Sequence, residues 1–204
     1  MFSGIVEAQS TFIQQSMDPQ VLRLQIQRPS EFTDLHVGDS ICTNGICLTI
    51  EKFDETMIQF CLGAETLKLL ASTLPQWSKF PINLERSLRF GDRVHGHLVT
   101  GHVDAAAVVR RAEADGECWQ IQIEIPVSLA HFFWKKGSIC LNGVSLTVNQ
   151  VVKLPTGAAL VDVCLIPETL KKTNLQHFRV NDFIHVEADY LAKAYCQSKE
   201  GSMD

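Results

Sequence analysis

Apolar and polar residues alternate along several short stretches of this chain. Leu22, Leu24 and Ile26 are separated by arginine and glutamine, and residues 119–125 show the same alternation. A period of two places apolar side chains on one face of a strand and polar side chains on the other. These stretches therefore predict half-buried β-strands.

Turn and helix signals divide the rest of the chain. Two Asn-Gly dipeptides, at residues 44–45 and 142–143, lie between β-rich runs. Asn-Gly favours the type I′ turn, because both central residues of that turn need positive φ, and so predicts two tight hairpins. Short helices are predicted at residues 65–70, 128–132 and 168–172, with a further helix at 190–197 and disorder over 198–204.

The chain repeats one pattern twice. Residues 1–8 match residues 98–105, and residues 22–29 match residues 119–126. Ordered matches of this kind indicate a duplicated domain. The further matches, in the same order, pair 40–50 with 138–148, 65–67 with 168–170, and 82–85 with 184–187.

The repeated unit predicts an all-β fold. Short strands that recur as a unit favour a small closed barrel, because closure removes exposed sheet edges. We expect a first barrel over residues 1–93, a second over 94–189, and a C-terminal helix and tail over 190–204. The junction at 91–96 has no long polar linker, so the barrels are expected to lie close together.

Composition limits the class of protein. A chain of 204 residues, 46% of them hydrophobic, is long enough to bury a core. The net charge is −5 and the basic residues are scattered, which argues against a nucleic-acid or anionic-membrane surface. No segment approaches the roughly 18 uninterrupted apolar residues of a membrane helix. We expect a soluble, cytoplasmic protein.

The cysteines and the absence of common sequence motifs further limit the class of protein. The seven cysteines lie mostly inside apolar runs, with no Cys-X-X-Cys pair and no zinc-like Cys/His spacing. This pattern predicts reduced thiols rather than disulfides or a zinc site. Walker A, Rossmann and Gly-X-Ser-X-Gly motifs are missing from the sequence, which argues against nucleotide-dependent enzymes and hydrolases of those types.

Small polar residues follow each Asn-Gly turn. Cys47 and Thr49 in the first copy, and Ser145 and Thr147 in the second, are two apart and would share one strand face. They could line a site, or form an ordinary exposed face.

Gly4 and Gly101 each follow a hydroxyl residue. Such glycines would let a backbone approach a flat ligand closely, although a simple strand bulge is the other interpretation.

Histidines and carboxylates are the remaining candidates. His95, His97 and His102 cluster at the start of the second copy, and His95 and His97 would share a face if they lie on a strand. No carboxylate or thiolate stands nearby at ligand spacing, so a polar pocket or packing role is favoured over a metal site. Glu187 and Asp189 would also share a strand face, as a functional or a merely solvated pair.

These motifs together resemble one family, the riboflavin synthases of the alpha-chain type. The resemblance extends over nearly the whole chain, to about Asp189. Each motif is weak alone, but the set is specific. The motifs are Met-Phe-Ser-Gly-Ile-Val-Glu (1–7), Asn-Gly-Ile-Cys-Leu-Thr (44–49), Gly-His-Leu-Val-Thr-Gly-His-Val-Asp (96–104), Asn-Gly-Val-Ser-Leu-Thr-Val (142–148) and Ile-Pro-Glu-Thr-Leu (166–170).

The resemblance implies a fold, a reaction and an assembly. The fold would be two tandem Greek-key six-stranded β-barrels with short helices and a C-terminal helix. The reaction would be a transferase step in riboflavin biosynthesis, between two molecules of 6,7-dimethyl-8-ribityllumazine. One molecule donates a four-carbon unit to the other, giving riboflavin and 5-amino-6-ribitylaminouracil, with no metal or redox cofactor. The assembly would be a homotrimer, in which the N-terminal barrel of one chain faces the C-terminal barrel of another.

The resemblance also implies site residues, matched motif by motif. Catalytic roles would fall to Ser145, Asp189, His102 and Cys47, and a Ser145–Asp189 hydrogen bond could relay a proton. The N-terminal barrel's pocket would use Gly4, Ile5, Val6, Cys47, Leu48, Thr49, Ala64, Glu65 and Thr66. The C-terminal barrel's pocket would use Gly101, His102, Val103, Lys136, Ser145, Leu146, Thr147, Ile166, Pro167, Glu168 and Thr169.

Two other functions fit a duplicated barrel. A non-catalytic lumazine or flavin carrier would be expected to lose polar groups from one barrel, whereas His97, His102, Ser145 and Asp189 are all present here. A structural β-module without a ligand would not need paired glycine and threonine positions in both copies. The enzyme is therefore the favoured interpretation.

Overall fold

The computed structural model describes residues 1–17 and 21–200, and the side chains of these residues except Glu200. The helix predicted at the C-terminal end extends over Tyr190–Glu200, so the disorder predicted for residues 198–200 is wrong. The last predicted disordered residues, 201–204, lie outside the described residues. In the described part of the chain, no helix is long and apolar enough to cross a membrane.

The first copy folds into a seven-stranded sheet with the order β1-β7-β4-β5-β6-β3-β2. β1 and β2 are the two edges of this sheet, and only Thr11 separates them in the chain, so the chain itself joins the edges. A short helix follows β6. The elements are β1 (Ala8–Ser10), β2 (Phe12–Met17), β3 (Leu22–Gln27), β4 (Ser40–Thr43), β5 (Ile46–Phe53), β6 (Met57–Leu62), α1 (Ala64–Leu70), a 3₁₀ turn (Leu74–Gln76) and β7 (Ile82–Arg86).

The second copy is a closed barrel with the order β10-β11-β12-β9-β8-β13. Its long β8 pairs with both β13 and β9. In the first copy these two pairings are made by separate strands, since β1 pairs with β7 and β2 pairs with β3. The elements are β8 (Ala105–Asp115), β9 (Cys118–Ile125), a 3₁₀ turn (Ala130–Phe132), β10 (Ser138–Leu141), β11 (Val144–Lys153), β12 (Ala159–Leu165), α2 (Pro167–Lys172), a 3₁₀ turn (Asn174–His177), β13 (Phe183–Ala188) and α3 (Tyr190–Glu200).

The strand order is that of a Greek key. β10, β11 and β12 are joined by hairpins, and β9 returns to lie beside β12. The predicted all-β class with two tandem barrels and a C-terminal helix is therefore confirmed. The predicted alternation is confirmed as well, because Leu22, Leu24 and Ile26 are all buried in the first core.

Both Asn-Gly dipeptides form the predicted hairpin turns. Asn44 and Gly45 have φ values of 47° and 88°, and Asn142 and Gly143 have values of 46° and 81°. The two tips meet each other, since a Cβ atom added to Gly45 would lie 2.9 Å from the backbone nitrogen of Gly143. Glycine is thus needed both for the turn and for close contact between the barrels.

The segments that lead into the two copies cross over. Phe2 and Val99 pair as a short antiparallel bridge between the barrels. Beyond it, Val6 is buried in the core of the second barrel, and Val103 packs against the core of the first. We refer to residues 2–6 and 99–103 as the crossing segments. The segment that precedes the first barrel therefore contributes to the core of the second, and the segment that precedes the second barrel packs against the core of the first.

A buried polar network also joins the barrels. In one half, the Asn83 side-chain amide donates to the Asn142 carbonyl (3.0 Å) and to the side-chain oxygen of Asn174 (2.9 Å). In the other half, His185 occupies the position of Asn83. Its Nδ1 lies 2.7 Å from the carbonyl oxygen of Asn44, and its Nε2 lies 2.6 Å from the Thr73 hydroxyl. The duplicated interface has therefore diverged at one titratable position.

This histidine predicts a loss of stability in mild acid. Burial lowers the pKa of His185 from 6.5 to about 4, although the hydrogen bond to Asn44 opposes the shift. The unfolded chain therefore binds more protons between pH 6.5 and pH 4, and stability falls as the pH falls through that window. The expected loss of unfolding free energy is at most about 3 kcal/mol, measured by urea denaturation at pH 7 and pH 4.

His185→Asn is the matched variant, because Asn83 shows that asparagine fits the equivalent place. The carboxylates that titrate below pH 5 are common to both proteins, so the difference between the two pH profiles isolates His185. Parallel profiles for parent and variant would refute the prediction.

Candidate ligand and catalytic site

A buried carboxylate anchors each crossing segment. Glu85 accepts hydrogen bonds from the Ser3 amide (2.6 Å), the Ser3 hydroxyl (2.8 Å) and the Gly4 amide (2.9 Å). Glu187 repeats this pattern with the Thr100 amide (2.7 Å), the Thr100 hydroxyl (2.7 Å) and the Gly101 amide (3.0 Å). Three donors offset part of the loss of hydration that burial imposes on each carboxylate, and burial still raises the pKa of Glu85.

The glycines lie directly against the strands that follow the hairpin turns. The Gly4 carbonyl accepts a hydrogen bond from the Ser145 amide (2.8 Å), and the Gly101 carbonyl accepts one from the Cys47 amide (2.8 Å). Both glycines have positive φ, at 75° and 79°. The sequence suggested that these glycines allow a ligand to approach the backbone closely. In the structure, the group that approaches each glycine closely is a protein strand.

These contacts correct the grouping of the predicted pocket residues. The prediction placed Gly4–Val6 with Cys47–Thr49, and Gly101–Val103 with Ser145–Thr147. The structure pairs Gly4 with Ser145 and Gly101 with Cys47 instead. The predicted grouping is wrong because it followed chain order, whereas the crossing segments exchange places between the barrels.

The remaining predicted residues lie next to these strands. In the first barrel, Leu48 is buried while Cys47 is half-buried and Thr49 is exposed, and α1 begins at Ala64, with Glu65 exposed and Thr66 half-buried. In the second barrel, Ser145 and Leu146 are half-buried and Thr147 is exposed. The segment at the start of α2 consists of Ile166, Pro167, Glu168 and Thr169.

An open cleft lies beside the first crossing segment, and its other sides are lined by residues of the first barrel and of the end of α2. Its volume is about 640 Å³, and its lining includes Ile5, Val6, Lys171 and Lys172. The first crossing segment thus shares a cleft with the end of α2. Lys136 is an exposed residue with φ 71°, and its amide donates to the Val148 carbonyl (2.8 Å), one residue beyond Thr147.

Ser145 pairs with a histidine. Nδ1 of His97 lies 2.7 Å from the Ser145 hydroxyl. Burial lowers the pKa of His97, while the charges of Asp189 and Glu187 oppose the shift, so the imidazole is neutral at pH 7. Its Nε2 is buried and has no hydrogen-bond partner among the described residues. This nitrogen is therefore free to meet a ligand or to exchange a proton.

The predicted Ser145–Asp189 pair is wrong. An Asp189 side-chain oxygen accepts a hydrogen bond from the Leu191 amide (2.8 Å) and thereby caps the start of α3. Asp189 still influences the Ser145–His97 pair through its charge, which raises the pKa of His97 against the effect of burial.

The other histidines do not join this pair on a strand. His95 is exposed and lies outside the strands, so the predicted strand face shared by His95 and His97 is wrong. His102 is exposed, and its amide donates to the Thr100 hydroxyl (3.2 Å). Among residues 1–17 and 21–200, no group of three histidine, cysteine, aspartate or glutamate side chains is placed to hold a metal ion.

Sequence reasoning missed two functional features. It did not assign roles to Glu85 and Glu187, although the matched blocks 82–85 and 184–187 both end in glutamate. It noted His97 only as one of three clustered histidines. The signal for the glutamates was therefore present in the repeat, whereas nothing local in the sequence pairs His97 with Ser145.

Comparison with known proteins identifies the class first. The family model described as "Lumazine binding domain" matches residues 3–87 and 100–189, one match for each copy. The solved structure of LumP with 6,7-dimethyl-8-(1'-D-ribityl) lumazine superposes with a TM-score of 0.76 at 19% identity, covering 92% of this chain and 99% of that one. LumP with riboflavin gives a TM-score of 0.75 at 21% identity over the same shares. The architecture is thus that of a duplicated lumazine-binding fold.

Curated relatives narrow the class to a family. Riboflavin synthase of Mycobacterium tuberculosis (strain H37Rv) is 36% identical over 199 residues, covering 95% of this chain and 95% of the relative. Riboflavin synthase of Photobacterium phosphoreum is 33% identical over 194 residues, covering 95% and 86%. The Bacillus subtilis (strain 168) enzyme is 32% identical over 194 residues, covering 95% and 87%. The chain belongs to the riboflavin synthase family.

Proposed function

We propose that this protein is a riboflavin synthase, a transferase that moves a four-carbon unit between two molecules of 6,7-dimethyl-8-ribityllumazine. The products are riboflavin and 5-amino-6-ribitylaminouracil. The duplicated site carries this proposal: each barrel places a glycine segment against a strand that bears a small polar pair, Cys47 and Thr49 in one barrel and Ser145 and Thr147 in the other. Two equivalent sites suit a reaction between two identical molecules.

The chemistry requires orientation and proton transfer. The C7 methyl group of the lumazine is acidic because its carbanion is delocalised into the ring. The protein must hold two rings in register and take up the methyl proton. We assign the proton transfer to Ser145 and His97, since Nδ1 of the neutral imidazole is hydrogen-bonded to the serine hydroxyl while its buried Nε2 has no partner among the described residues.

The two sites then differ in their roles. Ser145 has a histidine partner, whereas the equivalent Cys47 is a half-buried thiol. His102 stands where the first copy has Ile5, and both are exposed beside the strands just described. We place His102 and Cys47 at the first barrel's site and the proton-transfer pair, with Asp189 nearby, at the second.

The test is direct. The purified chain is mixed with 6,7-dimethyl-8-ribityllumazine, and riboflavin is followed by its fluorescence while the lumazine is consumed. Two molecules of lumazine should disappear for each riboflavin formed. Binding of lumazine without any riboflavin would support a non-catalytic carrier instead and would overturn the proposal.

We further propose that the protein works as a homotrimer. On α3, Tyr190, Leu191 and Tyr195 are 47%, 63% and 60% exposed, and the neighbouring Trp134 is 51% exposed. Together with Ala192 and Cys196, several of these residues line an apolar groove of about 490 Å³. Exposed apolar surface of this kind favours burial against another chain, and copies of this helix would cover it.

Deleting residues 190–204 is therefore expected to give monomers and to abolish riboflavin formation, because each active site would need two chains. Sedimentation or light scattering measures the mass, and the lumazine assay measures the activity. Deletion of residues 201–204 alone is the control and should leave both unchanged. A fully active monomer lacking α3 would refute the trimer.

The cysteines support a reducing compartment. All seven are free thiols. Burial raises the pKa of Cys42 and of Cys140 well above the ordinary value, so these two thiols stay protonated and packed between the barrels. On this basis we propose a cytoplasmic location.

A further inference from the structure

The two buried glutamates act across the boundary between the barrels. Glu85 lies on β7 of the first barrel, but the Gly4 segment that it binds rests on Ser145 of the second barrel. Glu187 lies on β13 of the second barrel, and the Gly101 segment that it binds rests on Cys47 of the first. Each glutamate therefore supports a site in the barrel to which it does not belong.

We propose that Glu85 and Glu187 are crossed positioning residues: Glu85 sets ligand affinity at the second barrel's site, and Glu187 sets it at the first barrel's site. The inference rests on the proposed function, because it takes the strands at Ser145 and Cys47 to be ligand sites. It adds residues outside those sites and states which site each one controls.

The geometry leaves each crossing segment little freedom. Glu85 is 3% exposed and Glu187 is 1% exposed, and each uses both carboxylate oxygens to hold two successive amides. The glycine carbonyl is then tied to the opposite strand at 2.8 Å in both copies. A backbone held on both sides keeps one conformation.

The residues after each glycine are the ones placed to meet a ligand. In the described part of the chain, the backbone amides of Val6 and Val103 donate to no protein group, although the Val6 side chain is buried. Backbone donors in folded proteins are usually paired with protein groups, ordered water or a ligand. A ligand with acceptor atoms along its edge, such as the pyrimidine-dione edge of a lumazine or flavin, would satisfy them.

The neutral isostere tests the role of each carboxylate. Glu85→Gln and Glu187→Gln keep the shape but turn an amide group toward backbone donors, which should loosen the segment. Each variant should weaken riboflavin binding at one site about tenfold and leave the other within about twofold. Calorimetric titration of the full-length chain with riboflavin resolves the two sites.

Marker variants show which site is affected. Thr49→Ala is expected to weaken riboflavin binding at the first barrel's site, and Thr147→Ala is expected to weaken it at the second barrel's site. Glu85→Gln combined with Thr147→Ala should leave one site of parental affinity, whereas Glu85→Gln combined with Thr49→Ala should leave none. Glu187→Gln should give the mirror result.

Milder variants guard against a failure to fold. Ser3→Ala removes only the hydroxyl bond to Glu85, and Thr100→Ala removes the hydroxyl bond to Glu187 together with the bond that the Thr100 hydroxyl accepts from the His102 amide (3.2 Å). Both variants should show the same crossed pattern at about threefold. Two results would overturn the inference: loss at the site in the glutamate's own barrel, or equal weakening of both sites with a lowered melting temperature. If the parent chain binds no riboflavin, the proposed function fails before any variant is made.

Discussion

Ser145→Ala is expected to lower the turnover of lumazine to riboflavin by about 100-fold or more, the usual scale for an acid–base group. The serine hydroxyl is 2.7 Å from Nδ1 of His97, whose neutral imidazole can accept a proton. In the proposed mechanism, removal of the hydroxyl would break the path for the methyl proton but leave in place the backbone proposed to hold the ring. Affinity for riboflavin should therefore change by less than about threefold.

Ser128→Ala is the matched control, because Ser128 is exposed on the same barrel and should leave turnover unchanged. Asp189→Asn should cost about tenfold or less, since asparagine also caps a helix and Asp189 acts on His97 only through its charge. If Ser145→Ala retained turnover within a few-fold of the parent, proton transfer would run through water or the ribityl hydroxyls, and we would withdraw the role of Ser145.

Gly101→Ala is expected to lower the free energy of unfolding by about 3 kcal/mol, the sum of backbone strain and overpacking. Gly101 has φ 79°, and an added Cβ atom would lie 2.7 Å from Cβ and 2.8 Å from the backbone nitrogen of Cys47. Residues 99–103 would have to move away from β5, the strand that contains Cys47. Urea denaturation measures the loss, and riboflavin binding at the first barrel's site should be lost with it.

Gly116→Ala is the control that separates the cost of backbone strain from the cost of the steric clash with Cys47. Gly116 also has positive φ, at 61°, but an added Cβ atom would meet nothing within 4 Å. This variant should lose only about 1 kcal/mol, from backbone strain alone. Equal losses in the two variants would show that the contact with Cys47 contributes nothing, contrary to the close packing of the crossing segment.

The duplication explains why the interface between the barrels is so regular. Both copies use a glutamate to hold a hydroxyl residue and a glycine, and both hairpin tips use Asn-Gly. At this interface the copies differ in side chains at equivalent places, such as Asn83 and His185, or Cys47 and Ser145. The backbone arrangement at the interface is thus shared, while the side chains at the two proposed sites differ.

Local features of this fold could be predicted from the sequence. The period of two at residues 22–27 and 119–125 determined half-buried strands, because alternate side chains on a strand face opposite sides. The Asn-Gly turns were predictable for the same kind of reason, since positive φ is a property of those two residues. The repeat then required both halves to fold alike, which carried the prediction from strands to two barrels.

Only the tertiary structure decided how the site is assembled. Ser3 is 82 residues from Glu85, and Ser145 is 48 residues from His97, so no local pattern relates these partners. The crossing of residues 2–6 and 99–103 depends on which core each valine can enter, and this is settled by packing between the two barrels. The sequence by itself therefore determined the strands, the turns and the family, whereas long-range hydrogen bonds and burial decided which residues share a site.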